Sequence, residues 1–432
     1  MPLDLCFMRF CRSLLRRWVL LAVLVWTMSP TLFGADTPHW VGAWMMAPCA
    51  PDSAEPRADQ FVLQNETVRQ IVHLSIGGAA VKLRFSNTFG TAPLLLRSVF
   101  IAPRVSGDRI ESSAGRTVSF AGKPEVTIAP GATVTSDVVD MPVTSDSDLA
   151  VTFFVPQKLQ APAIHYTALQ TSYVAKGDQS AAATLEEPRR VTLDLILTGV
   201  DVASRTSPGA IVALGSSTTD GAHSTPNANH RWTDYLAARL RAAQPDSAYS
   251  VLNAGISGNR VLRDGRGAWG PIFGQSAVAR FSRDVLAQPG LRYVFLFEGG
   301  NDIRTPASTG EAISAKQLIM GFQLLARTAH EHHVKIILGT ITAFEGTNGD
   351  HDDSDWEETQ RTVNEWIRTT HDIDGFADFD ASIRNPSRLA RLLPEYDSGD
   401  HLHPNDAGYK AMADSIDLAL FEEPASAALT KR

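Results

Sequence analysis

The sequence predicts a parallel α/β sheet covered on both faces, preceded by an all-β domain. Three observations predict it. From Pro208 onward, short apolar runs alternate with helical periods, the pattern of strands joined by crossover helices. Before Ser204, apolar and polar residues alternate in many short, turn-bounded runs, with no helical period of useful length and no internal repeat, which points to a β-sandwich. Between them, Ser204-Arg-Thr-Ser-Pro208 makes a polar boundary. At 432 residues the chain is also too long for one ordinary core, so two domains are expected.

The first element in order is a leader at residues 1–35. Arg9, Arg12, Arg16 and Arg17 precede the apolar run Trp18 to Met28, and Gly34 and Ala35 close the segment. This is the layout of a signal peptide, and the apolar run is too short for a stable membrane span. The expected location is therefore secreted or periplasmic, with no stable membrane anchor after cleavage. Removing four Arg and one Asp with the leader leaves 35 basic residues against 46 acidic ones, so the formal charge moves from −8 to −11. That balance disfavours nucleic acid and anionic membranes as partners. Cys6 and Cys11 leave with the leader, so Cys49 cannot form an intramolecular disulfide and reads as a small buried hydrophobe.

Residues 37–204 form the expected β-domain, of jelly-roll-like sandwich type. Val72, Leu74 and Ile76 alternate with polar or small neighbours, as do Val81, Leu83 and Phe85. Further extended runs are Leu96–Ala102, Thr117–Phe120, Leu149–Val155 and Val191–Leu197. The second domain spans 208–421, followed by a tail at 422–432. Its strands are expected at Ile211–Leu214, Ser250–Asn253, Tyr293–Phe297 and Lys335–Thr340, and its helices at Trp232–Ala243, Ala312–His332, Trp356–Thr370 and Ala407–Leu420. In such sheets ligands sit at the carboxyl ends of the strands.

Four segments at those ends carry chemistry. Ile211-Val-Ala-Leu-Gly-Ser-Ser-Thr-Thr-Asp-Gly221 delivers a serine pair from a strand into a small-residue turn. Asn253-Ala-Gly-Ile-Ser-Gly258-Asn-Arg260, Gly299-Gly300-Asn301-Asp302 and Asp400-His401-Leu402-His403-Pro404 follow in order. A serine nucleophile needs a base, the base needs an orienting carboxylate, and the developing oxyanion needs donors. His403 with Asp400 three residues earlier suits the first two tasks. The N–H groups of Ser217 and Gly258 and the amide of Asn301 suit the third.

Together these segments resemble the blocks of the SGNH (GDSL) hydrolase superfamily. Gly215-Ser-Ser217-Thr-Thr-Asp-Gly221 matches the block Gly-Asp-Ser-x-Thr-Asp-Gly at every fixed position but one, which makes Ser217 the nucleophile and leaves Ser216 where Asp is usual. Gly258, Asn301 and the Asp400-x-x-His403 spacing match the later blocks. The resemblance implies a flavodoxin-like three-layer α/β/α domain and ester hydrolysis with no metal and no cofactor. Trp40-Val-Gly-Ala-Trp44, Val68-Arg-Gln-Ile-Val72 and Leu83-Arg-Phe-Ser-Asn-Thr-Phe-Gly90 resemble the β-domain of a secreted bacterial branch associated with esterases of plant-wall polysaccharides such as arabinoxylan.

Other residues carry blander expectations. His401 lacks the family spacing, and His223, His230, His330, His332 and His333 are expected on surfaces or helix faces. Glu298 is either a site carboxylate or a partner of backbone or Arg260. The acidic run Gly349–Trp356 lacks the pattern of a calcium loop and reads as a solvated loop leading to a helix cap at Ser354 or Asp355. Asn65-Glu-Thr67 fits a glycosylation acceptor only by a frequent triplet. Trp232, Trp269 and Phe273 are candidates to stack on a sugar, with core packing as the alternative.

The expected function is a secreted serine esterase acting on short acyl, above all acetyl, esters of plant-wall polysaccharide or of a small molecule. A lysophospholipase or lipase-like carboxylesterase would use the same residues. A carbohydrate-binding module with a relic site is the alternative of another class.

Overall fold

The sheet that presents the serine turn has five parallel strands: Ala210–Gly215, Ser250–Gly255, Leu291–Phe297, Lys335–Gly339 and Gly375–Ala377. Numbered along the chain, their spatial order is 2-1-3-4-5, the flavodoxin-like order whose switch point lies beside the first strand. This computed structural model describes residues 38–52, 58–245, 247–265, 270–305, 309–347 and 355–422. The leader at 1–35, Trp269, most of the acidic run and all but the first residue of the tail lie outside them.

Every residue of Ala210–Gly215 is buried, as a central strand covered on both faces requires. Helices Trp232–Ala243, Ala315–Glu331, Asp355–Thr369 and Asp406–Asp414 accompany the sheet. Two boundaries differ from the periodicity. The helix expected from Ala312 starts at Ala315 because Ser314 and Gln317 form a capping box, each side chain receiving the other's backbone N–H. The helix expected over Ala407–Leu420 stops at Asp414. Asp417 then caps a separate turn at Leu418–Phe421 by accepting the Ala419 N–H. The strand Gly375–Ala377, only three residues long, is too short to leave a period in the sequence.

Among the described residues of 39–204 there are two two-stranded antiparallel sheets and two large ones. One has four strands, in the order His39–Met45, Leu197–Ser204, Val81–Ser86 and Thr133–Thr135. The other has eight, centred on Glu66–Leu74, Ser147–Val155 and Leu94–Ser106. Phe85 of the first meets Phe153 of the second edge-on at 5.6 Å. The run Val191–Leu197 is not one strand: Ile196 has φ +69°, which no extended strand tolerates. Of Thr117–Phe120, only Thr117 lies in a strand, Arg116–Thr117, while Phe120 makes an isolated bridge to Lys123.

The antiparallel part covers the outer strand of the parallel sheet, where an open edge would otherwise stand exposed. Ser250 Oγ donates to the Gly42 carbonyl at 2.6 Å, and Val41, Val72, Leu83, Val212, Leu252 and Ile336 share one hydrophobic core. From His39 onward the chain is a single compact unit. Cys49 lies inside it, 1% exposed, with its thiol on the Ile272 carbonyl and its pKa pushed up to about 12 by burial, so it is an inert thiol.

Candidate active site

Strand Ala210–Gly215 ends in the short helix Ser217–Asp220, and Gly215 is dictated by packing: a Cβ there would lie 2.1 Å from Thr219 Oγ1 and 2.6 Å from the Phe297 carbonyl. The turn thus places Ser217 at the carboxyl end of the sheet. Its hydroxyl lies 2.7 Å from His403 Nε2, and His403 Nδ1 lies 2.6 Å from Asp400 Oδ2. A carboxylate at Nδ1 fixes the proton there, which leaves Nε2 as the acceptor of the serine proton.

Asp400 is held in its charged form. Burial works against that, but hydrogen bonds from the His403 ring and from the His403 and Leu402 amides outweigh it and hold the carboxyl far below the usual range. The Asp-x-x-His spacing creates this: Asp400 Oδ1 accepts the backbone N–H groups of Leu402 and His403 while Oδ2 faces the ring. Loop 222–230 is tied to the helix after His403. Asp406 accepts the Thr225 N–H and hydroxyl and pairs with His230, and the Tyr409 hydroxyl donates to the Ala222 carbonyl. Serine and histidine ends are thereby fixed to each other.

Gly258 has φ +79°, the left-handed region, and a Cβ would lie 2.2 Å from the Phe273 ring, so only glycine fits. Asn301 Nδ2 donates to the Asn259 carbonyl at 2.9 Å, which ties it to the Gly258 turn. The neighbouring Asp302 accepts the Val261 N–H at 2.8 Å. Ser217, Gly258 and Asn301 thus lie on loops at adjacent strand ends.

Burial pushes Asp302 up to about 6, above its ordinary 3.8. Between those values the folded state binds the proton more tightly than the unfolded one, so stability falls as pH rises through about 4 to 6. Denaturant unfolding at pH 4.5 and 7.5 checks this, and Asp302→Asn should flatten the dependence. An unchanged slope in that variant would refute the assignment.

Of the alternatives for Glu298, the structure selects the backbone: its Oε2 accepts the Gly299 N–H at 3.3 Å, while Arg260 pairs with Glu311. Glu298 is buried, its pKa driven well above the carboxylate range by desolvation that the charge of Arg280 only partly offsets. It faces Ser216, while a second buried carboxyl, Asp220, closes the helix that begins at Ser217. His223 is exposed as expected, but it has a partner the sequence did not reveal: it stacks on His403 at 5.3 Å with its Nε2 3.2 Å from Asp400 Oδ2. His401 turns away to Asp397 at 2.6 Å. Trp232 is fully buried against Phe295 and Phe379, which makes it core, not a sugar platform.

Among the described residues, His223, Asp400 and His403 are the one group whose ligand atoms, within 4.8 Å of one another, could hold a metal ion. A metal there would displace the proton that joins His403 to Asp400.

A cavity of about 30 Å³ opens beside Ser217, lined by Asn301, Ile341, Thr342, Phe344 and Leu402. Phe344 packs on Trp356 at 4.4 Å.

Residues 213–411, just under half of the chain, match the GDSL-like Lipase/Acylhydrolase family. No curated protein matches the sequence. Similar solved structures include Axe2, an acetylxylan esterase from Geobacillus stearothermophilus, at 21% identity, covering 51% of this chain and 96% of that one with a TM-score of 0.37. A GDSL-like lipase from Bacteroides thetaiotaomicron is 19% identical, with 50% and 88% covered and a TM-score of 0.35.

Proposed function

We propose that this chain, a serine ester hydrolase of the GDSL type over residues 213–411, is exported and removes short acyl groups, above all acetyl, from hydroxyls of plant-wall carbohydrate. Ser217 attacks the ester carbonyl carbon while its proton passes to His403 Nε2. The N–H groups of Ser217 and Gly258 and the Asn301 amide receive the oxyanion. The C–O bond to the alcohol then breaks, and His403 returns its proton to the leaving oxygen. Water, deprotonated by the same ring, attacks the acyl-serine and releases the acid and Ser217. Asp400 keeps the His403 proton at Nδ1 and stabilises the imidazolium. Residues 37–204 are assigned as a jelly-roll-like sandwich of the polysaccharide-esterase type, and the 1–35 leader supports a secreted or periplasmic location.

The observation that carries this reading is the Ser217–His403–Asp400 line at 2.7 and 2.6 Å, opening on a cavity of about 30 Å³. One water needs roughly 10–15 Å³ of such space, so the cavity has room for an acyl group the size of acetyl. Longer chains would overpack it at a cost of about 1–3 kcal/mol. Nitrophenyl acetate is therefore expected to exceed the butyrate by about tenfold or more in kcat/KM, with no turnover of palmitate and with release of acetate from acetylated xylan. Phe344→Ala should narrow the acetate-to-butyrate gap. Preferred cleavage of palmitate would reassign the substrate to lipids, and a protein inert on all of these esters would refute the enzyme reading.

A further inference from the structure

The antiparallel part does more than cover a sheet edge: segment 164–171 reaches the loops that flank Ser217. Ile164–His165 pairs antiparallel with Asp194–Leu195, and the His165 side chain, 8% exposed, crosses to the α/β part. Its Nε2 lies 2.7 Å from Asp220 Oδ1 and its Nδ1 lies 3.0 Å from the Ala47 carbonyl. Asp220 closes the helix that begins at Ser217. Its other oxygen, Oδ2, accepts both the N–H and the hydroxyl of Ser257, at 3.0 and 2.7 Å. Two residues further along segment 164–171, the Thr167 hydroxyl donates to Ser257 Oγ at 3.1 Å. Arg231 Nη2 donates to the Ala168 carbonyl, and Asn227 bonds Leu169, Gln170 and Thr171, which docks the same segment on the loop after the nucleophile helix.

Ser257 is the residue before Gly258. Its backbone N–H and side chain are held from two directions, and the next peptide plane carries the Gly258 N–H. We infer that His165, acting through Asp220 and Ser257 together with Thr167, is a positioning residue that aims the Gly258 N–H at the oxyanion. The inference rests on the reading of Gly258 as an oxyanion donor.

The partners of His165 hold its ring from both sides: Nδ1 lies on the Ala47 carbonyl and Nε2 on the Asp220 carboxyl. Burial alone would favour the neutral ring, but Asp220 outweighs it and holds His165 above the usual histidine range. A doubly anchored ring has one orientation, and Asp220 inherits it. Oxyanion donors act by being fixed before charge develops, and misplacement of about 1 Å can cost 10²-fold.

The test is turnover of nitrophenyl acetate per active site, with sites counted by burst titration so that misfolded molecules drop out. His165→Phe and Ser257→Ala are each expected to lower kcat per titrated site by roughly 10–10² with KM within about twofold. The double variant should be no slower than His165→Phe, because both act through one chain of contacts. His165→Gln, which keeps one N–H toward Asp220, should regain part of the loss. Unchanged kcat per titrated site in Ser257→Ala overturns the inference, including the case where His165→Phe does not fold. Fully additive losses overturn it as well. A wild type inert on esters would overturn the hydrolase reading and this inference together, whereas an active wild type that needs Ser217 but is indifferent to Ser257 overturns this inference alone.

Discussion

Ser217→Ala is expected to lower turnover of nitrophenyl acetate by roughly 10⁴–10⁶ while leaving the fold in place. The hydroxyl bonds His403 Nε2, and Ser217 is half-buried, so its removal should cost no more than about 1 kcal/mol of stability. Two serines stand side by side in this turn, which makes the variant informative. Ser216 faces the buried acid Glu298, whereas Ser217 faces the imidazole. A nucleophile at 216 would therefore lack a base, and a serine at 217 has one. Single-turnover acylation, measured beside the thermal unfolding midpoint, separates lost chemistry from lost structure. Retention of more than about a hundredth of wild-type turnover with an unchanged midpoint would mean that Ser217 is not the nucleophile.

The residues legible in the sequence are those whose partners are encoded by short spacing. Asp400 and His403 are three residues apart, and that spacing alone brings both carboxylate oxygens onto the backbone and ring of the histidine. Gly258 was legible from its place in the second motif block, and the structure adds why glycine stands there, at φ +79° against the Phe273 ring. The four longest strands of the parallel sheet announced themselves by continuous apolar runs. What the sequence did not reveal rests on contacts between distant segments. His165 meets Asp220 across 55 residues, and His223 meets Asp400 across the whole catalytic part; neither leaves a periodic trace. The role of Glu298 was ambiguous for the same reason: backbone and Arg260 were both open as partners until the fold set Arg260 on Glu311 and the Gly299 N–H on Glu298. Helix ends were missed where capping overrode periodicity, at Ser314 and Asp417.

Arg280 carries the second large expected effect. It is fully buried, and its guanidinium donates to the carbonyls of Gly215 and Ala254 at 3.0 and 2.7 Å, to Asn259 Oδ1 at 3.0 Å and to Asp284 at 3.3 Å. Gly215 ends the strand that delivers Ser217, Ala254 lies at the end of the strand that delivers Gly258, and Asn259 follows that glycine. One cation therefore joins the two loops on which the nucleophile and the oxyanion donor sit. Arg280→Met retains much of the apolar stem but leaves Asp284 with Arg283 as its remaining cation and strips two buried carbonyls and an amide oxygen of a donor. Breaking a buried pair in this way costs about 3–5 kcal/mol, because the partners left behind remain desolvated. Arg280→Lys should fare only slightly better, since an ammonium cannot reproduce the planar fork that reaches all four acceptors. Urea unfolding should show the midpoint falling with the slope unchanged, and the loss should exceed that of Ser217→Ala several-fold. A variant within 1 kcal/mol of wild type would mean that the strand ends are held by the sheet alone and that the guanidinium is a passenger.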